Sequence, residues 1–167
     1  SEARYVAQEE LAQVGATTAI GKTQAIAGAI GFDDAGMPLA CSRIDVDMRT
    51  LQSDQARRDN YLYNNTLEAE KYPLATFVLL DVEGLDAPLA DGETKDVTLI
   101  GNLTLRDTTQ VVAWEAEASQ DGDNLVVKAA TTFDMPDFGI TPPSVPVVLS
   151  LDEHVRLEFD MTAAPAA

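Results

Sequence analysis

The sequence is poor in the side chains that most often carry chemistry. Its 167 residues include one cysteine, Cys41, and one histidine, His154. A lone cysteine excludes an intrachain disulfide and a thiolate metal cluster. One His and one Cys cannot supply a zinc or haem site that needs several such ligands from a single chain. A Cys41–His154 nucleophilic pair would join residues far apart in the sequence, and no other feature supports it. Cys41 precedes an alternating segment, where a small buried or half-buried core position is expected. No glycine-rich phosphate loop is present, nor a serine in a nucleophile elbow. Asp45 and Asp47 share a strand face, where solvated outward carboxylates are the ordinary reading. Asp121-Gly122-Asp123-Asn124 looks like a fragment of a calcium loop but lacks the distal glutamate, so it reads as a turn. The expectation is a protein that is not an enzyme and holds no cofactor or metal.

Basic residues are also scarce: 11 Lys and Arg against 28 Asp and Glu, a net charge of −17. Such a surface repels phosphate backbones, which excludes a nucleic-acid partner, and it suits a soluble protein in a salty or extracellular setting. No apolar run approaches the ~18 residues that a membrane span needs. Ser1 is followed almost at once by charge, so an export signal is expected to have been removed or to lie outside this sequence. Length and an apolar fraction of 46% fit one domain with a single core, expected over residues 1–162, with a disordered Ala-Pro tail at 163–167. Either a monomer or a homodimer fits.

What the sequence does have is alternation. Residues 4–11, the run from Thr17 to Phe32, and residues 39–50, 75–82, 97–106, 111–118, 125–133, 147–151 and 154–161 read as strands. Turn signals separate them: Asp33-Asp34-Ala35-Gly36, Glu83 to Lys95, and Asp121-Gly122. The segment Asp134 to Pro146 is irregular, because prolines are hostile to helix interiors and sheet centres. In Ala75 to Val82 both faces are apolar, which suggests burial on both sides, with a helix against the sheet.

One stretch, Arg49 to Phe77, carries the only convincing helix signal. Ser53 is a good N-cap, and Asp54 precedes Arg57 and Arg58 at helical spacing. Tyr72-Pro73 forbids continuation. Arg58 and Asp59 are adjacent, so they face different ways, and a structural tie from helix to sheet suits them better than catalysis. The pattern is all-β: about eight antiparallel strands, closed as a barrel or stacked as a sandwich, with one short α-helix packed against them. A barrel of this size either fills itself with side chains or encloses a ligand cavity.

The segment Val46 to Phe77 resembles the signature of the YceI-like family of lipocalin-like, polyisoprenoid-binding proteins. The matching residues are Thr50-Leu51 at a strand end, Arg58-Asp59 and Leu62 in the helix, Tyr72-Pro73, and Phe77 in an aromatic strand. Three further matches follow the family's order: Gly28 to Asp33, Gly101 to Leu105, and Asp137-Phe138-Gly139-Ile140. The family's early Asp-x-x-His-Ser segment is not seen near Tyr5 to Leu11. Asp107 stands where a glycine is common, while Gln110 and Met135 stand where basic residues are common. These departures suggest a divergent subgroup with its own headgroup preference.

The resemblance implies an extended lipocalin-like antiparallel barrel with a long apolar tunnel, in an exported protein of the periplasm or cell surface. The function it implies is non-enzymatic binding, transport or storage of a long apolar lipid, either isoprenoid or quinone-like, or a fatty amide. Alternation assigns the walls of such a site to Ile26, Ile30, Phe32, Phe77, Leu79, Leu103, Trp114, Phe133 and Phe159. The alternative is an envelope stress-response or interaction module whose barrel is filled and binds nothing.

Overall fold

The computed structural model describes residues 1–143 and 148–166. Ser144 to Pro146 of the proline-rich segment, Val147 of the expected strand at 147–151, and Ala167 lie outside the described residues.

Alternating apolar and polar residues produce nine strands: β1 Glu2–Leu11, β2 Gly15–Thr23, β3 Ile26–Ala29, β4 Arg43–Asp47, β5 Leu74–Glu83, β6 Thr94–Leu105, β7 Thr108–Asp121, β8 Asn124–Asp134 and β9 Val148–Ala163. They form one antiparallel sheet in the order β2-β1-β9-β8-β7-β6-β5-β4-β3. The two edges of that order, β2 and β3, are consecutive in the chain and are separated only by Gln24 and Ala25. Around this bend Asp47 N donates to Ala25 O at 2.9 Å, and Lys22 and Gln52 exchange backbone hydrogen bonds at 2.9 and 3.0 Å. The sheet therefore curls until one bent strand serves both its edges. The expected continuous strand from Thr17 to Phe32 is this bent one, ending at Ala29 rather than Phe32. The two closing segments expected at 147–151 and 154–161 are a single strand, β9.

Register fixes the inner face, because paired residues point the same way. Tyr5, Ala7 and Leu11 of β1 pair with Gly21, Ala19 and Gly15. Ile44 and Val46 pair with Phe77 and Ala75, and Phe77 in turn with Leu103. Leu99 pairs with Trp114, Ala116 with Ala129, and Ala129 with Phe159. A bulge between Leu79 and Asp81 interrupts the β5–β6 pairing and turns Val82, opposite Leu99, inward again. Leu80 beside the bulge is exposed, so β5 is not buried on both faces as its composition suggests. The strand expected over 39–50 runs only from Arg43 to Asp47. A 3₁₀ turn, Met48–Thr50, follows it, and the Asp47 carboxylate caps that turn by accepting from Arg49 N at 3.0 Å. Cys41 is exposed with φ of 73°, at a left-handed turn position rather than in the core.

The helix α1, Ala56–Tyr61, widens into a π turn, Leu62–Thr66, and residues of both line the interior cavity. Ser53 does not cap it. The residue at the cap is Gln55, and Ser53 instead donates through Oγ to Asp59 at 2.6 Å, while its backbone N–H is held by the same carboxylate at 3.0 Å. Two apolar clusters fill the two ends of the interior. Around the end nearest Met135 and Phe138 lie Ala75, Leu103, Leu105, Ile140 and Val155. Toward the other end lie Val97, Trp114, Ala116, Ala118, Val127, Ala129 and Met161. Phe77 and Leu157 touch both clusters.

Candidate functional site: an apolar cavity with one polar end

Between these clusters the inward side chains do not close on one another. They leave a cavity of about 1050 Å³, at the upper end of the roughly 300–1,000 Å³ common for small-molecule sites. Its walls come from the inner faces of β1 and of β4 to β9, with Ala19 of β2, and are mostly aliphatic and aromatic. The loops after β3 and β5 contribute Ile30, Phe32, Pro38, Leu85, Pro88 and Leu89 at one end. At the other end α1 and the π turn contribute Arg57, Arg58, Tyr61, Leu62 and Thr66.

Eight of the residues that alternation assigns to the wall line this cavity: Ile30, Phe32, Phe77, Leu79, Leu103, Trp114, Phe133 and Phe159. Ile26 does not. It pairs with Val46 just after the bend that joins β2 to β3, half-buried at the seam. Phe32 is 49% exposed and sits at the rim, its backbone bridged to Pro38. Phe77 meets Trp114 edge-to-face with centroids 6.0 Å apart, and Phe133 meets the buried Phe138 in the same way at 5.1 Å. Phe138 is placed by the 3₁₀ turn Met135–Phe138, which Gly139 closes with φ of 64°. Residues that depart from the family signature have local partners here. Tyr72 Oη donates to Asp107 at 3.2 Å, Gln110 Nε2 donates to Asp137 O at 2.9 Å, and Met135 is buried against the cavity.

The polar end is the part that sequence reasoning misses. Arg58 Nη2 donates to Glu9 at 2.6 Å and Nη1 to Asp54 at 2.7 Å. The two paired side chains are well buried, with Arg58 15% and Glu9 7% exposed. Burial works against the guanidinium charge, but the Asp54 and Glu9 carboxylates outweigh it and hold Arg58 protonated more firmly than usual. Arg58 thus ties the helix to β1, as expected of it, whereas Asp59 holds Ser53 in the turn before the helix rather than the sheet. Tyr5 lies in the same place, its ring across Gly21, where a Cβ would stand 2.2 Å from Cε1. Its Oη is buried beside the Ser53 hydroxyl, which lowers its pKa, although no hydrogen bond to it meets strict geometric limits. Burial pushes the Tyr5 phenol up to about 12, with Arg58 pulling it down and Asp59 adding to the rise. Thr66 Oγ1 is buried and unpartnered. The inward register of Tyr5 is visible as alternation. The turn of Thr66 toward the interior is not, because it depends on the π turn.

Among the described residues, no group of three or more His, Cys, Asp or Glu is placed to hold a metal ion, and no helix is long and apolar enough to cross a membrane.

Comparison with known proteins agrees with this architecture. The fold matches Burkholderia cenocepacia BcnA with a TM-score of 0.73 at 15% identity, covering 98% of this chain and 96% of that one. It also matches a polyisoprenoid binding domain from Saccharophagus degradans with a TM-score of 0.74 at 13% identity, covering 98% and 94%. In sequence, a UPF0312 protein of Shewanella baltica is 27% identical over 157 residues, covering 90% of this chain and 76% of that protein. A barrel with a helix at one end, an apolar interior, and a match of the YceI-like domain profile to residues 3–163 together place this chain in the YceI-like family.

Proposed function

We propose that this protein binds and carries or stores a long apolar lipid, isoprenoid or quinone-like or a fatty amide, without chemically altering it. The observation that carries the reading is the cavity: about 1050 Å³ of space walled by apolar side chains, where a filled barrel would leave no voids larger than a water molecule. A prenyl or acyl chain makes few hydrogen bonds and needs only shape and apolar contact. Each buried methylene contributes about 0.8 kcal/mol, so chain length supplies affinity, offset by the cost of ordering the chain. The polyisoprenoid-binding name of a structural neighbour and membership of the family support the same ligand class. The reading includes an exported setting, periplasm or cell surface, which the net charge of −17 suits.

Solvent extraction and native mass spectrometry of protein purified from its own cells test this. The expected result is a stoichiometric co-purifying long-chain lipid. Delipidated protein that takes up neither prenyl nor acyl chains would overturn it.

A further inference from the structure

We propose that the outer face of β5 to β7 is a self-association surface, on which two copies of this chain pack sheet against sheet about a two-fold axis.

The outer surface of the sheet divides by charge. Across β1, β9, β8, β7 and β6, register lines up Glu2, Asp160, Lys128, Glu117 and Asp96 in one row. Further along β5, β6 and β7 the same surface turns neutral. Val78 stands opposite Asn102, Asn102 opposite Val111, and Ile100 opposite Ala113. Leu74 and the bulged Leu80 extend this patch along β5, and Leu74, Leu80 and Val111 are 40, 44 and 65% exposed. These side chains point away from the cavity, because Phe77, Leu79, Leu103 and Trp114, which alternate with them, line it.

The polar groups of the patch are turned back onto their own chain. Thr76 Oγ1 donates to Asp45 at 2.6 Å, and the Thr104 and Thr109 hydroxyls bond each other at 2.8 Å. Arg43, which continues the Val78 row, is paired with Asp45 at 2.9 Å, so that border is neutral; Asp81, beyond the bulge, forms the acidic border. Asn102 stands half-buried at the centre, where its carboxamide can exchange hydrogen bonds with that of a second copy.

Charge identifies the partner. At a net charge of −17, two copies repel wherever carboxylates face each other, so they meet most readily on a face that lacks them. A basic partner would instead be drawn to the acidic row. A two-fold axis along β6 through Asn102 sets Val78 of each copy against Val111 of the other, an isologous contact of apolar against apolar. At ordinary strand spacing and rise the patch spans about 15 by 20 Å. That is smaller than a standard interface, and it implies a dimer of roughly micromolar affinity or weaker. The cavity lies on the opposite side of the sheet, so pairing leaves the ligand site free.

Sedimentation velocity of the full chain over about 10 μM to 1 mM, the range a contact of this size calls for, tests this in low and high salt. Three variants are compared, each with a thermal melt. Asn102→Asp brings two carboxylates together at the axis, and Val111→Asp sets one against Val78 of the other copy. Val14→Asp makes the same single-charge change as Asn102→Asp and Val111→Asp at an exposed valine in the β1–β2 turn. The expected result is a reversible monomer–dimer equilibrium that tightens with salt, since screening lifts the mutual repulsion. Asn102→Asp and Val111→Asp should each weaken the dimer about tenfold or more, and Val14→Asp less than about threefold. Should Asn102→Asp melt early, Val111→Asp, at the more exposed position, carries the comparison. A chain that stays monomeric throughout, assembly that runs past the dimer, or a dimer that weakens with salt would overturn the proposal. So would Val14→Asp proving as damaging as Val111→Asp.

Discussion

Arg58 on the helix and Glu9 on the first strand form an ion pair at 2.6 Å across 49 residues of sequence, closing one end of the cavity. Both side chains are largely out of water, so deleting Arg58 leaves the Glu9 charge buried without its cation, while deleting Glu9 leaves Arg58 paired only with the exposed Asp54. Arg58→Ala and Glu9→Ala are expected to cost about 2–4 kcal/mol each, somewhat below the range for fully buried pairs because Asp54 is exposed and solvates part of the guanidinium. Together they should cost clearly less than the sum. Urea unfolding of the two single variants and the double variant measures the coupling. Single-variant losses under about 0.5 kcal/mol, the level of ordinary surface substitutions, would remove the pair from any role in holding the helix.

Two aromatic rings lie flat across inward glycines, and the two sites answer substitution differently. The three atoms nearest a Cβ at Gly21 all belong to the Tyr5 side chain, its ring atoms and oxygen 2.2 to 2.8 Å away. A Cβ at Gly101 would meet the Phe77 ring at 2.4 Å and also the Val78 backbone oxygen at 2.5 Å. A ring can swing into the cavity; a strand carbonyl cannot. Gly21→Ala is therefore expected to cost about 1 kcal/mol and to be relieved by Tyr5→Leu, whereas Gly101→Ala costs about 2–3 kcal/mol and is relieved little by Phe77→Leu. Chemical denaturation of the four single and two double variants reads this. Equal rescue at both sites would contradict the account.

The fold and the cavity wall are legible in the sequence wherever the physics is local. Alternation on β6 to β9 shows which residues face inward, because a strand with one buried face displays its register in its side chains. Adjacency on a helix shows that Arg58 and Asp59 face apart, but not that Arg58 reaches Glu9 or that Asp59 takes Ser53. The bend at Gln24-Ala25 is not legible, since alternation resumes at Ile26 and the break shows only in the pairing of β3 with β4. Leu80 reads as buried by composition, yet the bulge after Leu79 leaves it at the surface. Ser53 has the chemistry of a cap and is taken instead by Asp59. The unpaired hydroxyl of Thr66 is beyond the reach of any sequence pattern, because absence of a partner is a property of the packed interior.

The single histidine offers a clean titration. The Asp134 carboxylate hydrogen-bonds His154 Nδ1 and raises its pKa above the ordinary 6.5, with the charges of Asp134, Asp152 and Glu153 adding to the rise. A group whose folded pKa is raised contributes stability that is fully present below its unfolded value and is lost as pH rises through the folded value. The pair should thus hold β8 to β9 most firmly below the ordinary imidazole value and release as pH rises through the raised one, weakly, because both side chains are solvated. Asp45 and Glu158 act in the opposite sense: Arg43 and Arg156 depress them, so their contributions are lost as pH falls through their lowered values. An NMR titration of His154 in the wild type and in Asp134→Asn should show the imidazole pKa falling toward 6.5 in the variant. An unchanged value would mean the carboxylate is not its partner in solution.

The choice of cavity-filling substitution separates ligand exclusion from unfolding. Gly28 pairs with Ile44, which lines the cavity, and so invites a large side chain as a plug, although Gly28 itself is exposed and does not line the cavity. But a Cβ there would stand 2.3 Å from Arg43 O and 2.8 Å from Ile44 Cδ1, so Gly28→Leu must push β3 off β4 at the seam that closes the sheet. Its expected effect is loss of several kcal/mol and of the fold's cooperativity, which says nothing about lipid. Ala129 is better placed: it is buried on β8, lines the cavity, and sits between Ala116 and Phe159 with open space ahead of its methyl. Ala129→Phe should fill part of that space at a cost of about 1.5 kcal/mol or less, since the ring enters a void rather than a packed core. Circular dichroism should then show an unchanged sheet while the co-purifying lipid drops severalfold. Retention of lipid by a folded Ala129→Phe protein would place the ligand elsewhere than between β7 and β9.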